Sequence, residues 1–185
     1  MEKTLSTLAG ILFLAGYVPY IRAILKGTTK PAKTSWLIWS ILDTITLCSL
    51  WAKHAVNGQI IGALAGAWIV TFLALRYGKP GWERRDVFCL IGAGVGLIAW
   101  ALFREPAVAL AISVVVLLIG SVPTVDRSRK HPEQENKLAW TLWWLSCVAA
   151  IAAIEKWTFV NAAQQVAFTI VESTMMYILF LRPKK

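Results

Sequence analysis

The chain has 185 residues, 57% hydrophobic and only 16% charged, whereas a soluble domain is about 45–50% apolar and ~25% charged. The charges cluster between apolar runs of 17 or more residues, long enough for helices across a hydrocarbon layer about 30 Å thick. Composition therefore excludes a water-soluble domain and predicts an all-α integral membrane protein, with the lipid bilayer as its surroundings. The net charge of +9 would suggest nucleic acid in a soluble protein; here membrane sidedness accounts for it, and no nucleic-acid partner is expected. Cys48, Cys89 and Cys147 fall in apolar runs with no CxxC and no histidine close by, and read as small buried hydrophobes.

Apolar runs and their punctuation predict seven transmembrane helices, at 4–25, 35–53, 56–76, 86–103, 106–125, 138–155 and 158–181. The first resembles a signal peptide at a glance. Its long apolar stretch, its Pro19 and the lack of a small-residue cleavage site predict that it is retained. Pro19 interrupts the helical hydrogen-bond ladder, and reads either as a hinge for alternating access or as a static packing kink. In the second helix, Trp36 and Trp39 occupy the first turns. They fit either the aromatic belt at headgroup depth or, for Trp39, a cavity wall that stacks on a solute or closes a gate.

Asp43 follows on the same helix and is one of two acids lying inside the predicted helices away from an end. At 1.5 Å per residue it sits ~12 Å from the nearer helix end, the one that begins the helix. The third helix carries a stripe of Gly58, Gly62 and Gly66, which permits close helix approach within the bundle or with a second copy in a homo-oligomer. The fourth helix is without polar features of this kind. The fifth repeats the proline, as Pro123, and the sixth repeats the tryptophans, as Trp140 and Trp143. On the seventh, Asn161, Gln165, Thr169 and Glu172 share one side, with Glu172 ~13.5 Å from the same end of the bundle as Asp43. Intramembrane acids are costly and usually face a cavity or a partner. The expected solute-binding set is therefore Trp39, Asp43, Trp143, Asn161, Gln165, Thr169 and Glu172. The alternative is that each acid is protonated and hydrogen-bonds a neighbouring helix.

Lysine and arginine distribute unequally. With the amino terminus and the connections after helices two, four and six on one side, that side holds Lys3, Lys53, Arg104 and Lys156. The other fifteen, including Lys26, Lys30, Lys79, Arg84, Arg85, Arg129, Lys184 and Lys185, fall opposite. The positive-inside rule then predicts a multi-pass protein of the cytoplasmic membrane, amino terminus outside and carboxyl terminus cytoplasmic.

A shift of 104 residues pairs Gly16 with Gly120, Pro19 with Pro123, Trp36 with Trp140, Trp39 with Trp143 and Asn57 with Asn161. Trp, Pro and Asn do not coincide easily by chance. The expected organisation is a first three-helix repeat (1–81), a linker helix (82–105) and a second three-helix repeat (106–185), the linker making the two units parallel.

This three-plus-one-plus-three layout, an outside amino terminus, and prolines in Gly16-Tyr17-Val18-Pro19-Tyr20 and Gly120-Ser121-Val122-Pro123-Thr124 resemble the SWEET and PQ-loop superfamily, which includes the nicotinamide riboside transporters. The Pro-Gln pair is replaced by Pro19-Tyr20 and Pro123-Thr124. The second-helix prolines of the sugar-transporting members are missing, and Asn57 and Asn161 stand only at the outer starts of their helices. The resemblance implies the fold and a transporter class, not sugar as substrate. It predicts a carrier of a small polar solute working by alternating access, either passive or coupled to protons through Asp43 or Glu172. The alternatives are a non-transporting receptor or sorting protein, and a membrane scaffold. HExxH, Gly-rich phosphate loops and GxSxG are missing, and His131-Pro132-Glu133 lacks a downstream PCxxC, so neither an enzyme nor a cofactor or metal is expected.

Overall fold

A computed structural model describes residues 2–52, 54–78, 83–103 and 105–182. The expected connection at 79–82, the charges Lys53, Lys79, Arg104, Lys184 and Lys185, and the Arg85 side chain lie outside the described residues. Seven α-helices form the molecule: α1 (Glu2–Leu25), α2 (Lys33–Ala52), α3 (Gly58–Tyr77), α4 (Arg84–Phe103), α5 (Pro106–Lys130), α6 (Lys137–Ala152) and α7 (Phe159–Met176). A 3₁₀ turn, Pro132–Gln134, precedes α6, and a π-helical stretch, Tyr177–Leu181, continues α7. No strand occurs among the described residues.

Local chemistry sets most of these boundaries. At the end of α1, Gly27 adopts φ 72°. Its N–H donates to the Ile24 carbonyl while the Thr28 N–H reaches back to Ala23, a Schellman closure that favours glycine. Asn57, Asn136 and Thr158 cap α3, α6 and α7 by accepting from the N–H groups of Ile60, Ala139 and Asn161, and Glu105 caps α5 from the residue before its proline. Two ends differ from expectation. Helix α5 runs through Lys130 instead of stopping at 125. Asp126 pairs with Lys130 at 2.8 Å, and the basic residues of the last turn suit a helix carboxyl terminus. Helix α6 stops at Ala152, short of 155, as a tight turn brings Thr158 into position to cap α7.

Helices α1, α2, α3, α5 and α7 are long and apolar enough to cross a membrane. Helix α6 has 16 residues, about 24 Å. Large apolar side chains including Ile11, Phe72, Phe88, Ile98 and Ile170 stand exposed. A soluble bundle would place charge there, so this is a membrane protein.

Helix α1 packs against α3 and α6, α2 against α3 and α5, α7 against α5 and α6, and α4 against α5 with a lighter contact to α2. The glycine stripe of α3 is taken up by α1 of the same chain. A Cβ at Gly58 would run into the Ser6 carbonyl, one at Gly62 would lie 2.7 Å from the Gly10 carbonyl, and one at Gly66 would enter the Tyr17 ring. Pro123 leaves the Ile119 carbonyl without its helical donor, and the Cys89 thiol of α4 donates to that carbonyl at 3.6 Å. The thiol expected only to fill space also ties α4 to α5 one turn before Pro123.

Candidate functional site

On α2, Trp36, Trp39 and Asp43 recur at spacings that share one helix face. On α6, Trp140 and Trp143 do the same, and on α7 Phe168 and Glu172 are one turn apart. These residues converge with Phe13 and Tyr17 of α1, Ala67 of α3 and Leu117 of α5 around a central cavity of about 40 Å³, room for about one to three waters. Its aromatic walls interlock. Tyr17 and Trp143 meet edge-on with centroids 5.2 Å apart, Trp36 and Trp39 are also 5.2 Å apart, and Phe13 stacks on Phe168 at 5.7 Å. The polar tips of these rings turn away to backbone carbonyls. Trp143 Nε1 donates to Phe13 O at 3.0 Å, Trp39 Nε1 to Leu117 O at 3.4 Å, and the Tyr17 hydroxyl to Ala63 O at 2.8 Å. The cavity is thus faced by rings and by two carboxyls. Asp43 and Glu172 are both buried, at 3% and 7% exposure, and Asp43 Oδ1 and Glu172 Oε2 have no hydrogen-bond partner.

The expected solute-binding set divides. Trp39, Asp43, Trp143 and Glu172 meet at this cavity. Asn161 and Gln165 instead line a separate vestibule of about 330 Å³ at the amino-terminal end of the bundle, with Glu2, Lys3, Glu155 and Lys156. Thr169 lines neither: its hydroxyl donates to the Gln165 carbonyl at 2.7 Å, as threonine in a helix commonly does. The shared face of α7 therefore borders two cavities, Asn161 and Gln165 on one and Glu172 on the other.

Beside the vestibule, which Asn57 and Gln59 also line, runs a chain of side-chain amides that sequence reasoning missed. Asn57 Nδ2 donates to Gln164 Oε1 at 3.1 Å, Gln164 Nε2 to Gln59 Oε1 at 3.4 Å, and Gln59 Nε2 to the Cys147 sulfur at 3.3 Å and Ser146 Oγ at 3.5 Å. Ser146 ends the chain on the Ala9 carbonyl at 2.7 Å. Gln59 and Gln164 are buried, and each amide both accepts and donates, so the donors run in one direction. The cost of a polar group inside a membrane helix was the available signal. The repeat comparison obscured it, since Gln59 pairs with Ala163 and Gln164 with Ile60.

Trp140 in the cavity wall is bound in turn by the segment between α5 and α6. Trp140 Nε1 donates to Glu135 Oε2 at 3.0 Å, Asn136 Nδ2 donates to the Pro19 carbonyl at 3.3 Å, and Arg127 Nη2 donates to Gln134 Oε1 at 2.8 Å. Glu135 is buried, and burial pushes its carboxyl up to about 7, against the opposing pull of the Trp140 N–H and the Arg127 charge. Sequence reasoning also passed over this residue, because it stands in a charged connection where acids are ordinarily solvated.

Among the described residues no three of His, Cys, Asp and Glu gather as a metal site. Compared with family models, curated proteins and solved structures, the chain matches none.

Proposed function

We propose that this chain is a multi-pass carrier of the cytoplasmic membrane, built as two three-helix repeats around a linker helix in the manner of the SWEET and PQ-loop superfamily. It moves a small polar solute by alternating access through the central cavity. The observation that carries this reading is the cavity itself. It is lined by aromatic faces and by two buried carboxyls, each with one oxygen that has no hydrogen-bond partner, and hydrogen-bonded side chains flank it toward either end of the bundle. Carriers built from repeats place their solute site in such a position between the two units.

The repeat is supported by reciprocal contacts. Trp143 donates to Phe13 O and Trp39 to Leu117 O, and both members of each pair are related by the same 104-residue shift. The helix contacts follow the same relation: α1 with α6 answers α5 with α2, and α1 with α3 answers α5 with α7. Helix α6 crosses despite its length by local thinning of the bilayer. Uptake by the purified protein in liposomes, across a panel of sugars, nucleosides, amino acids and amines, tests the reading. Saturable flux of one class supports it, and binding with no flux returns the protein to the receptor class.

Topology gives a separate check. In a chain with Cys48, Cys89 and Cys147 replaced, single cysteines beside Asn57 are expected to react with an impermeant thiol reagent on intact cells. Ones beside Lys30, Arg84 or Arg129 should react only after permeabilisation. The reverse pattern would overturn the orientation.

The prolines act as hinges in this mechanism. Pro123→Ala gives Ile119 back its helical donor, and Pro19→Ala does the same for Ala15. One added helix hydrogen bond is worth about 1 kcal/mol. If it opposes the swing of the helix end, flux slows about fivefold with the folded yield near that of the parent. A variant that transports at the parental rate would show its proline to be a packing feature.

A further inference from the structure

The central cavity offers very little to a neutral polyol. Of the four indole N–H groups around it, those of Trp39, Trp143 and Trp140 are engaged by Leu117 O, Phe13 O and Glu135. That of Trp36 is buried without a hydrogen-bond partner. The Tyr17 hydroxyl is bound to Ala63 O. A sugar needs donors and acceptors around its whole rim, and here it would find ring surface and two acids. Among the described residues that line the cavity there is no Lys, Arg or His, so an anion would meet carboxyls with no cation to offset them. Of the residues that line the cavity, Asp43 Oδ1, Glu172 Oε2 and one donor, Trp36 Nε1, are buried without a hydrogen-bond partner, so acceptors without a donor outnumber the single free N–H. Aromatic faces around a carboxyl are the setting in which desolvated organic cations are held, because the ring quadrupole and the acid both attract positive charge.

We infer that the central cavity binds a small alkylammonium ion, its charged head held by Asp43 and Glu172 and enclosed by Trp36, Trp39 and Trp143. The inference rests on the carrier reading for the site and adds the class of solute. The cavity of about 40 Å³ admits only a compact head without rearrangement. A bulkier methylated head requires the indoles to part, and their edge-on contacts allow this by rotation. Sidedness of the approach is consistent with the charge at the vestibule, where Glu2 and Glu155 stand with Lys3 and Lys156 and leave no net barrier to a cation.

The test compares methylammonium, tetramethylammonium and choline with 3,3-dimethyl-1-butanol, the neutral isostere of choline, and with glucose, by calorimetry on the full chain in lipid nanodiscs. At least one of the cations is expected to bind saturably, and the neutral isostere about tenfold or more weaker than choline. Asp43→Asn and Glu172→Gln should each weaken cation binding by a similar factor. Where a variant does not fold, the cation-against-isostere comparison on the parent decides alone. Equal binding of choline and its isostere, or no binding of any cation, overturns the inference. Glucose flux in liposomes without cation binding overturns it too while leaving the carrier reading intact. Saturable cation binding with no counterflow in liposomes upholds the site and removes the carrier.

Discussion

Alanine at Gly58 is expected to lower the thermal stability of the detergent-solubilised protein by several degrees, without changing its oligomeric mass. The added methyl would collide with the Ser6 carbonyl, and both sides of that contact are backbone. A flexible side chain could swing aside, but here α1 as a whole must move away from α3. Overpacking of this kind typically costs ~1–3 kcal/mol. The shift would also strain the bond from the Gly58 N–H to Ser6 Oγ, 2.9 Å long, and the neighbouring approach in which a Cβ on Gly10 would lie 2.5 Å from Gly58 O. Gly94 of α4 is the control, because a Cβ there meets nothing within 4 Å. Gly94→Ala should be neutral or gain up to about 1 kcal/mol from helix propensity. If Gly58→Ala instead left the melting temperature unchanged and altered the mass, the stripe would be serving a second copy and not α1.

The helices, their order and most of their ends are legible in the sequence because each depends on local chemistry. Apolar runs set the seven segments, and Asn57, Thr158 and Gly27 mark ends by capping or by left-handed backbone. The end of α5 escapes such reasoning because its last polar residues read as a loop. In place, the Asp126–Lys130 pair and the hydroxyl of Ser128 on Thr124 O make that polar segment a good final turn. The convergence of Trp39, Asp43, Trp143 and Glu172 follows from helix faces and from depth. Helix-face reasoning does not say where along α7 one cavity ends and another begins. The division depends on which residues of α3 and α6 reach across, and Gln59 and Ser146 come together only through the fold. Asn57 and Asn161 illustrate the same limit. They match by the 104-residue shift, yet Asn57 is the cap of α3 while Asn161 sits inside α7, capped by Thr158 and bonded to the Lys156 carbonyl. The matching residue of a repeat need not inherit the matching task when one helix starts a turn earlier.

Between about pH 4.5 and pH 7 the parent protein is expected to lose stability as pH rises, and Glu135→Gln is expected to lose less of it over the same range. The sign follows from proton binding. Burial raises the Glu135 carboxyl from 4.5 to about 7 in the folded protein, so the folded state holds this proton more tightly than the unfolded chain does. The associated stability is complete below the unfolded value and is lost as pH climbs through the folded one. Its size is about 3 kcal/mol, because each tenfold gain in proton affinity is worth ~1.4 kcal/mol. The neighbours named by the structure set the expected modulation. Trp140 donates to the carboxyl, and the charge of Arg127 also favours its ionised form. Arg127→Met should therefore move the transition to higher pH. Glutamine retains an oxygen for the Trp140 N–H and cannot ionise, so the Glu135→Gln protein should be the more stable of the two above pH 7. The exposed pair of His131 and Glu133, 3.3 Å apart, is common to parent and variant, so any contribution it makes cancels in the difference. A parent and variant with superimposable stability profiles would show that Glu135 is solvated after all. The loop carrying it is bound to Pro19 through Asn136, so on the proposed carrier reading ionisation of Glu135 loosens the contact beside Pro19. On that reading flux should rise with pH on this face of the membrane in the parent and lose that rise in Glu135→Gln.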